Sequence, residues 1–183
     1  MKMLEQPVLD AGAYRLRPFQ PSDIPAVRQA SADPYIPRIT TVPAQGTEAD
    51  YAAFIERQHR RVAEGSGYSF AIADAATNAA AGQIGLWLRD AHQGRASIGY
   101  WIAPGCRRRG IAKHALMALA EWGLEHPGIE RVELYVEPWN EGSWRTAEAC
   151  GFQREGLLRS WERVGTDRKD MYMYSRLRPA PRA

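Results

Sequence analysis

The sequence predicts a mixed α/β (α+β) fold, a mostly antiparallel sheet of six to seven strands flanked by about four helices. Three observations carry the prediction. "YSFAIAD", "AAGQIGLWLRD" and "RASIGYWIA" are β-rich runs separated by the turn-forming "AATNA" and "AHQG", the pattern of an antiparallel meander. "SIGYWIA" and "RVELYVEP" flank a run with apolar residues at helical spacing, which makes a strand, helix, strand unit. The stretch "QREGLLRSWERVGTDRKDMYMYSRL" reads as a hairpin turning near Gly165.

The elements follow in order. A short strand around Tyr14 to Arg17 leads through a Pro-marked turn into a helix capped by Ser22, with Asp23 in its first turn. "DPYIPRITTVPAQG" carries three prolines, which forbid a long regular element, so it reads as a loop. From Thr47 to Ala63, Tyr51, Phe54, Ile55 and Val62 fall near one helical face and Thr47 stands as the cap. The meander follows, then a helix after Gly110 whose apolar positions are Ala112, Leu116, Leu119, Ala120 and Gly123. In "RVELYVEP", Val132, Leu134 and Val136 alternate with Glu133, Tyr135 and Glu137, as in a half-buried strand. "NEGSWRTAEACGF" reads as a short helix capped by Asn140 and stopped at Gly151, before the hairpin. No repeat or linker divides the chain, so residues 1–178 are expected to form one domain, with 179–183 a disordered tail.

Bulk properties narrow the function classes. In 183 residues, 24 basic and 21 acidic side chains leave a formal charge of +3, too balanced for a dedicated nucleic-acid binder but compatible with an anionic ligand. The start, "MKMLEQPVLD", has no apolar h-region, and no stretch approaches the length of a membrane span; a cytoplasmic protein with no membrane partner is expected. Cys106 and Cys150 lack CxxC spacing and the four histidines are scattered, so reduced thiols and no metal are expected.

"GCRRRGIAKHALMAL", from Gly105, is the most informative stretch. Gly110 stands at the mouth of a helix, where the free amides of the first turn and the positive end of the dipole favour an anion. Arginines beside it add charge-assisted bonds to phosphate. A solvated turn is the plain alternative, but each cation at a helix N-terminus opposes the dipole by about 0.3–1 kcal/mol, so three together call for a counter-charge. Neither a Gly-x-x-x-x-Gly-Lys-Ser/Thr loop nor a Gly-x-Gly-x-x-Gly turn is present, which removes both nucleotide fingerprints. A nucleic-acid site built from Arg107 to Arg109 with Arg57, Arg60 and Arg61 lacks aromatic interleaving and a strong net charge.

The run Arg107-Arg108-Arg109-Gly110-Ile111-Ala112 resembles the Gln/Arg-x-x-Gly-x-Gly/Ala motif of the GCN5-related N-acetyltransferases (GNAT). "IGYWIAP" before it, a helix and "RVELYVEP" after it, and then "NEGSWRTAEACGFQREGLLR" come in the order of that family. The chain most resembles the RimJ/RimL branch of ribosomal-protein N-acetyltransferases, from "YRLRPFQPSD" to "DMYMYSRL", more loosely in its first third. The resemblance implies a GNAT fold whose sheet splays between its fourth and fifth strands, with the pantetheine arm of acetyl-CoA in the gap. It implies acetyl transfer directly to a primary amine, protein N-terminal or small-molecule, through a ternary complex. A homodimer through the last strands is one arrangement the family allows.

The resemblance also suggests roles. Arg107, Arg108, Arg109, Gly110, Ile111, Ala112 and Lys113 would cradle the pyrophosphate, and a backbone amide near Trp101 or Ile102 would meet the thioester carbonyl. Many relatives place an acidic tyrosine four residues before the closing Gly-Phe, where this chain has Ala147. The RimJ/RimL branch instead points to Ser143 as acid for the thiolate, Asn140 as pantetheine contact and Glu162 as base for the amine. Ser143 reads equally as an N-terminal helix residue bonded to backbone, and Glu162 as a surface carboxylate paired with Arg159 or Arg163. Tyr35 and Trp161 are candidates for the acceptor pocket or for packing. Cys150, in the "EACGF" helix end, reads as a packing residue rather than a nucleophile. Two other functions remain open at this level: a catalytically inactive acyl-CoA-binding regulator of the same fold, and nucleic-acid binding, the weaker of the two.

Overall fold

The computed structural model describes residues 6–180, and its first elements are two short strands, β1 (Leu9–Ala11) and β2 (Tyr14–Arg17), paired antiparallel. Helix α1 (Ile24–Ser31) follows, then the four-residue α2 (Ile36–Ile39) and the long α3 (Glu48–Ala63). The meander is β3 (Gly67–Asp74), β4 (Ala80–Trp87) and β5 (Arg95–Ile102). Helix α4 (Ile111–Glu125), β6 (Arg131–Val136), α5 (Glu141–Ala149) and the hairpin β7 (Gln153–Val164) and β8 (Asp167–Leu177) complete the chain. One sheet holds all eight strands in the order β1-β2-β3-β4-β5-β6-β8-β7; only the β5–β6 pairing is parallel.

This is the mixed, mostly antiparallel architecture expected, with β1 and α2 added to the strands and helices read from the sequence. Both additions are too short to leave a periodic signal, and α2 begins where Pro37 sits harmlessly in a first helical turn. Of the tail expected at 179–183, Pro179 and Ala180 have no regular structure, and 181–183 lie outside the described residues.

Burial explains the layering. Strands β3 and β4 are buried along nearly their whole length, so each needs cover on both faces. On one face α4 lays Ala115, Leu116, Leu119 and Ala120 against Phe70, Ile84 and Leu86. On the other, Val27 and Ala30 of α1 and Tyr51, Phe54 and Ile55 of α3 enclose Ala71 and Trp101.

Thr47 caps α3 as expected, in a reciprocal box with Asp50. Ser22 does not cap α1. The chain enters through a 3-10 turn at Pro21–Asp23; Asp23 stands at the N-cap position of α1 without a side-chain cap bond, and its carboxylate accepts instead from Gln20 N at 2.8 Å, closing a box on the 3-10 turn. The same carboxylate holds the guanidinium of Arg17 in a two-pronged ion pair, both bonds 2.8 Å, with the side chains 1% and 5% exposed. A one-carbon-longer polar group than serine is needed to reach both. Removing Asp23 would leave Arg17 buried and unbalanced; Asp23→Ala is expected to cost about 3–5 kcal/mol of stability, read from the midpoint of urea unfolding at constant slope.

Candidate functional site

Each central strand is loyal to a different neighbour. Strand β5 pairs with β4 from Ser97 to Ile102, and β6 pairs with β8 from Arg131 to Val136. Between them β5 and β6 share only Arg95, Ala96 and Ser97 against Arg131, Val132 and Glu133. Beyond Ser97 and Glu133 the strands part, and a cavity of about 810 Å³ opens between Ile98–Trp101 on one wall and Leu134–Glu137 on the other. Among the described residues the backbone of β5 has no strand partner on that side beyond Ser97. Ala103 N donates to Ala81 O at 2.8 Å, so by the alternation of a strand Trp101 turns its amide toward β4 while Tyr100 and Ile102 turn theirs into the gap.

At the end of β5 the chain turns through Pro104–Cys106 into α4. Gly110 is the N-cap of α4 at φ 73°, with no side-chain cap and no acidic residue in the first turn. The first backbone bond of the helix is His114 N to Gly110 O at 3.2 Å, which leaves the amides of Ile111, Ala112 and Lys113 without intrahelical acceptors. Arg108 also has positive φ, 64°, so the turn curls its backbone around one point.

Arg107 turns from that point. Its Nη2 sits 2.7 Å from Asp33 Oδ2 and its Nε donates to Ile102 O at 3.2 Å. Asp33 thus supplies a counter-charge to Arg107, one of the three arginines of the run. Burial works to raise the Asp33 carboxyl, but bonds from the amides of Ile36 and Tyr35 and from Arg107 outweigh it and hold the group below its ordinary value. Arg109 donates to Gly105 O at 3.3 Å, within the same turn.

Across the gap, Asn140 is the N-cap of α5, and its Oδ1 accepts from Ser143 N at 3.3 Å. Ser143 Oγ lies 3.0 Å from the hydroxyl of Tyr100, and Asn140, Ser143 and Tyr100 all line the cavity. Cys150 is buried at the far end of α5, Sγ against Lys113 O, and burial pushes its thiol up, as suits a packing residue.

The other end of the cavity is acidic and aromatic. Tyr35 donates to Glu137, which is 5% exposed, and its ring meets Trp139 edge-on at 4.9 Å. Glu162 of β7, an exposed residue, lines the same space, where loss of water and then the charge of Glu137 push its carboxyl above the ordinary value; Arg89 partly opposes this. No ion pair of Glu162 with Arg159 or Arg163 is present among the described residues. Trp101 is buried, and its indole donates to Gln83 Oε1 at 2.5 Å in a network with Ser69 and Gln58. Trp161 instead stacks on Tyr135, rings 5.7 Å apart and 18° from parallel, outside the cavity wall.

The fold therefore brings Tyr35, Trp101, Asn140, Ser143 and Glu162 to one cavity and sets the Arg107–Lys113 turn beside its β5 wall. Tyr100, Glu137 and Asp33 escaped the sequence reading. Tyr100 sits in a strand and Glu137 directly after one, where each reads as an ordinary strand residue, and Asp33 lies 74 positions from its partner. Among the described residues no group of acidic, His or Cys side chains is placed to hold a metal, and no helix is long and apolar enough to cross a membrane.

Comparison with known proteins agrees with this geometry. Residues 14–153 match the family described as "Acetyltransferase (GNAT) domain". The chain is 28% identical over 163 residues to the "Uncharacterized N-acetyltransferase p20" of Bacillus licheniformis, covering 89% of this chain and 92% of that one. Among solved structures it is similar to "Mycobacterium smegmatis RimJ in complex with CoA-disulfide", with TM-score 0.78, 24% identity, and coverage of 93% of this chain and 86% of that one. It is likewise similar to "RimL- Ribosomal L7/L12 alpha-N-protein acetyltransferase in complex with Coenzyme A", at TM-score 0.76 and 20% identity over 93% and 98% of the two chains. The splayed β5–β6 pair, the capless turn at Gly110 and the matched residues together place the chain in the GNAT acetyltransferase family, among folds that include the RimJ and RimL enzymes.

Proposed function

We propose that residues 1–178 form one cytoplasmic N-acetyltransferase that moves an acetyl group from acetyl-CoA directly to a primary amine in a ternary complex. The observation that carries the reading is the gap between β5 and β6, which has an anion-ready turn at one rim and a hydroxyl and a carboxylate on its walls. The turn fits a pyrophosphate: its amides are free, and a Cβ placed on Gly110 would meet only the edge of His114, at 3.9 Å, so the space above the backbone is open. In this reading the amides from Arg108 to Lys113 hold the phosphates, with Arg108 and Arg109 as supporting charge. Arg107 acts from behind by bracing the turn on Asp33.

The coenzyme supplies the activated acetyl group as a thioester; the protein supplies position and protons. The Ile102 amide, turned into the gap, is the better placed of the two candidates to polarise the carbonyl. Asn140 is the pantetheine contact, and Ser143 gives its proton to the leaving sulfur. Glu162 takes the proton of the incoming ammonium, a role favoured by a carboxyl held above its ordinary value. The acceptor enters past Tyr35, and its class, N-terminal α-amine or small-molecule amine, is set by the residues at that mouth. Trp161 acts there through Tyr135, which it stacks against. A homodimer through β7, which bears the exposed Leu157 at an edge of the sheet, belongs to the same proposal.

Three outcomes test it. Gly110→Asp puts a side chain at φ 73° and a negative charge at the anion point; calorimetry should show acetyl-CoA affinity falling about 100-fold, as expected from the loss of two or so charge-assisted bonds, and unchanged affinity would remove the cradle. A basic group whose pKa is raised sets the acidic limb of the rate profile higher than an ordinary glutamate would. In Glu162→Gln that limb should move up toward the pKa of the acceptor amine, about 8 for an α-amine, with the variant approaching wild-type turnover above it. Ser143→Ala should lower kcat about tenfold or more while acetyl-CoA affinity holds, measured as thiol release against binding.

A further inference from the structure

We propose that Tyr100 is a positioning residue of the transfer reaction: its phenol donates to Ser143 Oγ and so turns the single proton of the serine toward the cavity. The inference rests on the reading of Ser143 as proton donor to the leaving sulfur. Tyr100 Oη and Ser143 Oγ stand 3.0 Å apart, and both residues face the gap, one from β5 and the other from α5. Two hydroxyls at that distance share one hydrogen bond, and each has one proton to spend. When Ser143 donates, its proton points into Tyr100 and is lost to the sulfur. When Tyr100 donates, the serine proton is free.

The surroundings favour the second state once a sulfur carrying negative charge is present. Burial pushes the Tyr100 phenol up, partly offset by the hydroxyls of Ser143 and Thr146, so Tyr100 keeps its proton at neutral pH and always has one to give. Thr146 Oγ1 spends its own proton on Gly142 O at 2.7 Å and competes only as an acceptor. A thiolate accepts a hydrogen bond more strongly than a phenol oxygen. It draws the serine proton, and Tyr100 completes the chain, each bond polarising the next. The main chain of Ser143 is already fixed, its amide bonded to Asn140 O at 3.0 Å and to Asn140 Oδ1 at 3.3 Å. Only the hydroxyl rotor is left to set, and Tyr100 is the partner that sets it.

The test reads the sulfur directly as well as the rate. The thiol of bound coenzyme A is titrated by its thiolate absorbance, against protein holding desulfo-coenzyme A to subtract Cys106 and Cys150. Tyr100→Phe and Ser143→Ala should both shift that titration to higher pH, the double variant should shift it no further than Ser143→Ala, and Tyr100→Phe should lower kcat about tenfold with KM for acetyl-CoA within about twofold. Thr146→Val, which removes the competing acceptor and leaves the Tyr100 ring untouched, should titrate at or below the wild-type pH. If Ser143→Ala moves the titration and Tyr100→Phe does not, if the two shifts add, or if Thr146→Val raises the titration, Tyr100 has no positioning role. If Ser143→Ala itself moves neither titration nor kcat, the serine reading has failed and the inference falls with it.

Discussion

Three residue pairs hold the two halves of the sheet together. Strands β1 to β5 form one antiparallel run and β6, β8 and β7 another, and only Arg95–Ser97 against Arg131–Glu133 joins them. A short parallel ladder contributes little by itself, so the join depends on α4, which packs Leu116, Leu119 and Ala120 across both halves, with Gly123 set against Leu86 of β4 and Val132 of β6. The cavity follows from that economy. Were the ladder to continue past Ser97, the amides of Tyr100 and Ile102 would be spent on β6 and the space for a substrate would close.

A second constraint ties the two ends of the cavity. Asp33 Oδ1 accepts from the amides of Tyr35 and Ile36, fixing the start of α2, while Oδ2 holds Arg107 at 2.7 Å. The anion-ready turn and the segment that presents Tyr35 therefore share one carboxylate. The ion pair is half open to solvent on the arginine side, so its worth lies less in stability than in geometry: it fixes where the Tyr35 segment lies relative to the β5 end. Arg107 thus spends its charge inward on Asp33, and in the proposed reading the backbone amides of the turn are left to face the phosphates.

Much of this was legible in the sequence, and the reason differs by element. Strands β3 to β5 are readable as β-rich runs between turn-forming residues, and β6, α3 and α4 because one-sided burial imposes a period that survives in the order of apolar residues. The Arg107–Ala112 run and Asn140 were readable because a helix N-terminus needs particular local chemistry, which lies within a few residues along the chain. What could not be read was contact between distant residues. Asp33 with Arg107, Tyr35 with Glu137 and Tyr100 with Ser143 are separated by 74, 102 and 43 positions, and each uses a residue type that is also ordinary where it stands. Ser22 failed for the opposite reason: it has the right chemistry for a cap, but Asp23 beside it meets both Gln20 N and Arg17.

The proposed chemistry is divided along the same line as the sheet. The turn at Gly110 and the Ile102 amide belong to the β1–β5 half with α4, whereas Ser143 and Glu162 belong to the half built from β6, α5, β7 and β8. Donor-binding groups and proton-moving groups are therefore carried by different bodies, and their alignment is only as good as the contacts that cross the gap. Tyr100 with Ser143, and Cys150 Sγ on Lys113 O, are two such contacts near the site. The first is polar and lines the cavity; the second is buried and fixes the end of α5 to the first turn of α4. A change that loosens α5 from α4 would then cost stability as well as alignment, because Ala147 and Cys150 of α5 belong to the same buried cluster as Ala115, Leu116 and Leu119 of α4.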